Sequence, residues 1–330
     1  LNPGDCQKTI MHTTSGDIEG VLTCINPYRY NLTVPSDQLG LAGLWIVGLS
    51  TGFIFYDEDL TQRIPGPISI HKAVPIFVKP DGDPIDLNKP YFVGMPKAAD
   101  LEARPEFHWE EPTDLPLKRT QLYQTHVDLG AKMAPFAGWE MPLWYTSVLQ
   151  EHLATRQAAG LFDVTHMGVF LAEGPDAAVF LESVCGNDVL FRKIGESVYT
   201  HFMDPDANVI DDLIIYRIAA EKYLLVVNAA NEAKDWAWLN AVKDGEVLVE
   251  RERPWVRIFG RNVILRNLKD PKEGKDMLVD VAIQGQVSRD ILLQLAEPAE
   301  QRKIKRLDRN QLCDSVLAGV DVVVSRTGYT

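Results

Sequence analysis

The chemistry in this chain is most concentrated in the run Asn208-Val209-Ile210-Asp211-Asp212-Leu213-Ile214-Ile215-Tyr216. Two acids open a segment that is otherwise apolar, and such a segment reads as a strand. Side chains alternate between faces along a strand, so Asp212, Ile214 and Tyr216 share one face while Asp211, Leu213 and Ile215 share the other. A carboxylate, an aliphatic surface and a phenol on one side make a wall for a flat, polar aromatic ligand. The same acids equally suit a solvated strand start beside a turn. Asn228 ends the next apolar run, and its amide either meets a heterocycle edge or shapes a turn. Asn231, ahead of Lys234 and Asp235, is expected to cap a helix. In Gly160-Leu161-Phe162-Asp163-Val164-Thr165-His166-Met167-Gly168, Asp163 is expected to cap the local turn. The lone His166 there reads as structural, and Met167 lines a pocket or fills core. Phe136-Ala137-Gly138-Trp139-Glu140-Met141-Pro142-Leu143-Trp144-Tyr145 reads as a buried lid or core plug.

Several chemistries are excluded at this level. A formal net charge of −13 argues against general binding to nucleic acid or to a membrane surface. The four cysteines stand far apart with no metal spacing, and the histidines form no ligand pair, so reduced thiols, no metal site and a cytoplasmic protein are expected. No dinucleotide or phosphate loop and no GxSxG elbow is present. Residues 39–56 form an uncharged run of 18, at the lower bound for a membrane span. Their four glycines and acidic flanks favour two short buried strands of a soluble protein.

The elements that must position these residues follow from periodicity. Residues 1–96 read as a β-rich leader, with apolar runs at 20–24, 46–56, 74–78 and 91–93 between turn signals. Residues 97–116 are rich in proline and acid and read as a linker. From 117 onward the patterns predict helices at 122–129, 146–159, 175–184, 231–242 and 288–295. Strands are predicted at 167–172, 198–203, 209–218, 223–228, 282–284 and 320–324. The fold class is α+β, with antiparallel sheets and flanking helices.

Taken in order, LKRTQLYQTHVDLGAKMAPFAGWEMPLWY, HLATRQAAGLFDVTHMG, NVIDDLIIYR, VVNAAN before KDWAW, IQG and SRTGYT make residues 117–330 similar to the T-protein (aminomethyltransferase) family of the glycine cleavage system. The resemblance implies a tetrahydrofolate site and a lipoylated H-protein as partner. The implied reaction moves a methylene carbon from aminomethyl-lipoyl to tetrahydrofolate with release of ammonia. It implies Asp212 as the essential acid, with Met167, Tyr199, Ile214, Tyr216, Asn228 and, less directly, Tyr329 lining the folate pocket. Two departures stand out. Gln286 replaces the proline that usually follows IQG, and the acidic continuation after RTGYT, with a later carboxylate and arginine, would lie past Thr330. The chain is therefore expected to be a fragment carrying half a site. Residues 1–96 do not resemble the family's usual start; they are read as an unrelated leader, the alternative being the end of a preceding copy. The rival functions are another folate-dependent transferase or demethylase on the same scaffold and a non-enzymatic folate-binding assembly factor.

Overall fold

A computed structural model of the chain describes residues 1–26, 28–51, 53–55, 68–73, 80, 92–93, 102–251, 254 and 262–327. The chain divides into two compact units, Leu1–Arg104 with Glu252–Arg257, and Pro105–Arg251 with Ile258–Thr330.

In the first unit, β1 (Cys6–Thr13), β2 (Gly16–Asn26) and β3 (Arg29–Thr33) form an antiparallel sheet in that order. The Thr13 hydroxyl closes the β1–β2 turn by donating to the Gly16 carbonyl at 2.7 Å. Ile18 and Cys24 bury on one side of β2. Next come helix α1 (Leu39–Thr51) and strands β4 (Ile54–Phe55) and β5 (Phe92–Val93), which pair antiparallel. The helix corrects the two strands expected over 39–56. Glycines suggest turns there, but Gly48 faces Ile54, where an added Cβ would stand 2.7 Å from the Ile54 side chain. It permits close approach of helix to strand. Ala42, Trp45 and Gly48 form the buried stripe. At 13 residues the helix is about 20 Å long, and among the described residues no helix is long and apolar enough to cross a membrane. The strand expected at 74–78 lies outside the described residues.

The second unit begins with α2 (Tyr123–Asp128), the hairpin β6 (Lys132–Phe136) and β7 (Trp139–Trp144), α3 (Val148–Gln157) and β8 (Gly160–Asp163). The hairpin corrects the lid or plug reading. Ala137 and Gly138 both have positive φ, 48° and 79°, as a two-residue hairpin turn requires. Phe136 and Tyr145 are exposed, while Met141 is buried. Helix α3 forms where expected, capped by the Ser147 hydroxyl on Gln150 N–H, yet none of its residues is buried.

The centre of the unit is a five-stranded antiparallel sheet in the order β10-β11-β12-β9-β13. Its strands are β9 (Gly168–Glu173), β10 (Ser197–Met203), β11 (Val209–Ala219), β12 (Lys222–Val227) and β13 (Ile264–Asn267). Helices α4 (Ala177–Val184) and α5 (Glu232–Lys243) supply Phe180, Leu181 and Val184, and Trp238, Leu239 and Val242, at helical spacing. These pack with Phe170, Phe202, Leu213, Ile215 and Leu225 into the main core. On the other face a small cluster gathers Val169, Leu171, Leu224 and Leu268, with Tyr216 and Val226 against it. The Asp204 carboxylate accepts from Asp206 N–H and Asn208 N–H, both at 2.9 Å, and so turns β10 into β11. Phe202 pairs with Asp211 and Met203 with Val209, so Ile210 is the extra residue of a β-bulge. The unit ends with β14 (Val281–Gln284), which pairs with β8, then α6 (Ser288–Leu295), α7 (Pro298–Lys305) and the pair β15 (Gln311–Leu317) and β16 (Val320–Arg326). Helices and antiparallel sheets in this mixture are the expected α+β class.

Candidate functional site

The strand parity read from the sequence holds along β11. Asp211, Leu213 and Ile215 are buried, while Asp212, Ile214 and Tyr216 are half-buried on the face away from α4 and α5. The antiparallel register sets His201 opposite Asp212 and Tyr199 opposite Ile214 on β10, with Val226 opposite Ile214 on β12. One residue beyond the last β12–β9 pair, Val227 with Gly168, lie Asn228 and Met167. Met167 is half-buried and closes a tight turn through its N–H to the Val164 carbonyl at 3.0 Å. The sheet thus gathers Met167, Tyr199, Asp212, Ile214, Tyr216 and Asn228 along one side. Tyr329 lies outside the described residues.

Asp212 is held by two neutral donors. The Tyr199 hydroxyl donates to its Oδ2 at 3.0 Å, and Asn228 Nδ2 donates to its Oδ1 at 3.1 Å. These orient the carboxylate without cancelling its charge. The Tyr199 ring stacks edge-on against His201 at 5.3 Å and is 45% exposed, so it presents an aromatic surface to solvent. Burial pushes the Tyr216 phenol above its ordinary value, and its oxygen sits 3.4 Å from the Thr327 hydroxyl. Asn228 is anchored more firmly than the sequence suggested. Its Nδ2 also reaches the Asp212 carbonyl and Asp211 Oδ1, each at 3.0 Å, and its N–H reaches Asp211 Oδ2 at 3.3 Å. That spends its NH2 on the protein.

Three neighbours take roles that the sequence does not predict. Asn231 occupies the N-cap position of α5 but makes no side-chain cap; its Nδ2 donates to Asp211 Oδ1 instead. Asp211 is a buried acceptor for the amides around it. Asp235 is fully buried one turn into α5. The spacing of Asn231 and Asp235 is the available signal, because an N-cap residue and the residue four beyond it share a helix side. Nearby, Asp163 does cap its turn, accepting from Thr165 N–H at 2.9 Å. It also binds the buried His126 at 2.9 Å and the Thr120 hydroxyl at 2.6 Å. Burial alone would raise the Asp163 carboxyl, but donation from His126, Thr120 and Thr165 outweighs it and holds the group below the usual range. His166 packs edge-on against Phe136 at 5.6 Å, and its buried Nδ1 has no hydrogen-bond partner among the described residues. Gln286 donates to the Arg156 carbonyl at 3.0 Å, satisfying the end of α3.

The family model for the GCVT N-terminal domain matches residues 122–330. The chain belongs to this family. Among curated relatives, the aminomethyltransferase of Thermotoga maritima is 37% identical over 215 residues, covering 65% of this chain and 52% of that protein. That of Symbiobacterium thermophilum is 40% identical over 216 residues, with 65% and 52% covered. The crystal structure of the glycine cleavage system aminomethyltransferase T from Bartonella henselae matches with a TM-score of 0.52 at 34% identity, covering 65% of this chain and 51% of that one. The chain spans about half the length of the curated relatives it matches. All four cysteines are free. No group of three or more His, Cys, Asp or Glu residues suited to a metal ion occurs among the described residues.

Proposed function

We propose that this chain carries a tetrahydrofolate-binding wall for a glycine-cleavage aminomethyltransferase, with Asp212 at its centre. The observation that carries the reading is the amide- and phenol-held Asp212 carboxylate on the open face of β10–β11–β12, next to an exposed aromatic ring. The residues fit a reduced pterin. A flat heterocycle rests against Tyr199, Ile214 and Tyr216, the Asn228 carbonyl accepts from a ring N–H, and Asp212 faces a nitrogen that becomes cationic. In the reaction, the methylene carbon exchanges its bonds to lipoyl sulfur and to the amine nitrogen for bonds to two folate nitrogens, releasing thiol and ammonia. Asp212 stabilises the positive charge that develops on the attacking amine, an interaction stronger in the transition state than before it. The donor is the aminomethylated lipoyl arm of an H-protein, and the setting is cytoplasmic.

Calorimetric titration with tetrahydrofolate tests the reading. Asp212→Asn keeps the shape and removes the charge; a hydrogen bond to a charged group is worth about 1.5–3 kcal/mol, so affinity falls roughly 10- to 100-fold. Equal affinity in the variant would sink the assignment. Turnover of aminomethylated H-protein against methylated small-amine donors, with the full-length protein, separates this reaction from a demethylase on the same scaffold.

A further inference from the structure

Asp235 is the buried ionisable group that the folate reading leaves without a task. It lies in α5 one turn beyond Asn231, whose carbonyl accepts its N–H at 2.8 Å, and it is 0% exposed. As carboxylate oxygens, its Oδ1 and Oδ2 receive no donor among the described residues. The charged groups around it come from two elements. On α5, the Lys234 ammonium is directed to the Ile210 carbonyl at 2.8 Å; on β11, Asp211 and, less strongly, Asp212 act on it as like charges, and Asn231 joins the pair, its Nδ2 donating to Asp211 and its carbonyl accepting the Asp235 N–H. A buried carboxylate without donors, beside a second carboxylate, is a costly arrangement, and one proton shared by the pair removes both faults. Geometry says where that proton sits. Asp211 already accepts from Asn228 N–H, Asn228 Nδ2 and Asn231 Nδ2, so it is the acceptor and Asp235 the donor.

We propose that Asp235 is a positioning residue: as a neutral carboxylic acid it donates to Asp211, which fixes the Asn228 amide that orients Asp212. Its bearing on ligand binding rests on the folate reading; the proton itself does not. Burial first, then the neighbouring Asp211, pushes the Asp235 carboxyl up to about 9, so the acid form persists across neutral pH. Because the folded value lies above the unfolded one, near ~4, this group's contribution to stability is complete below ~4 and declines as pH rises toward about 9.

The test uses the whole chain. Infrared spectra of the wild type at neutral pH show the carbonyl band of a protonated carboxylic acid, and Asp235→Asn removes it. Asparagine still donates to Asp211, so Asp235→Asn keeps the Asn228 side-chain amide resonance in place and tetrahydrofolate affinity within about twofold. It also flattens the decline of the thermal midpoint from about pH 5 to about pH 8. Asp235→Ala removes the donor; it moves the Asn228 resonance and weakens tetrahydrofolate about tenfold, the worth of one ordinary hydrogen bond. Should Asp235→Ala not fold, the infrared band and the Asp235→Asn responses decide the matter. Absence of the acid band in the wild type, or an Asp235→Asn variant that moves the Asn228 resonance as Asp235→Ala does, overturns the proposal. A chain that binds no tetrahydrofolate yet shows the band and the Asn228 responses supports the shared proton and overturns the folate reading instead.

Discussion

The two faces of the β10–β11–β12–β9–β13 sheet are built from the same strands and do opposite work. The face under α4 and α5 is closed by large apolar side chains, and the polar group it admits on β11, Asp211, is surrounded by amide donors. The other face has a smaller apolar cluster and leaves Asp212 and Tyr199 partly in contact with solvent. Two adjacent aspartates thus meet contrasting environments because a strand changes face at every residue. One is a structural acceptor, where a missing partner is expensive; the other lies half-buried on the open face, where the proposed folate wall needs it.

This contrast can be broken at several points. The largest effect belongs to the closed face. Trp238→Ala removes a fully buried aromatic and should lower stability by roughly 3–5 kcal/mol, measured by urea unfolding. Tyr199→Ala on the open face should cost under about 1 kcal/mol. If the two costs match, the division between faces fails. Next in size, Asp211→Ala orphans amide donors of Asn228 and Asn231 and should cost about 2–3 kcal/mol, whereas Asp212→Ala should leave the unfolding midpoint nearly unchanged. A subtler difference concerns Tyr199→Phe, which deletes the 3.0 Å bond to Asp212 but keeps the ring. Stability should hold within about 0.5 kcal/mol, with tetrahydrofolate affinity falling about three- to tenfold by calorimetry. The smallest effect lies away from the sheet. The Asp163 carboxyl is held below its unfolded value, so its contribution is present above about pH 4 and is lost as acid takes the pH through the depressed folded value. Asp163→Asn should flatten the acid limb of the thermal midpoint; an unchanged limb would place acid sensitivity elsewhere.

Much of this was legible from local pattern. The parity of β11 and the boundaries of β10, β12 and α6 follow from alternation, helical spacing and turn residues, all properties of neighbouring positions. What local pattern could not supply was pairing between distant positions. Asn231 falls at the start of α5 as expected, but its partner Asp211 is twenty residues away in sequence, near the start of β11. The apolar spacing of α3 predicted a helix correctly and said nothing about what covers it; Leu149 is 67% exposed. In α1, glycine was weighed as a turn signal, and only the proximity of Ile54 reveals Gly48 as a packing residue. The 132–144 hairpin is obscured because its aromatics resemble core, yet a two-residue turn with positive φ at Ala137 and Gly138 leaves Phe136 exposed and Trp139 and Trp144 half-buried.

The bulge at Ile210 bears on how this surface can evolve. Upstream of it, chain length is negotiable: deleting Ile210 would join Val209 to Asp211 in a regular ladder and leave the later register with β10 and β12 intact. Downstream, a single inserted or deleted residue would exchange Asp211 with Asp212 and send every following side chain to the wrong face. The side chains on the open face can therefore be changed by substitution without disturbing the strand's register. Changes in length are tolerated at the Asp204–Asn208 loop and at the bulge itself, which buffer the strand's register against them.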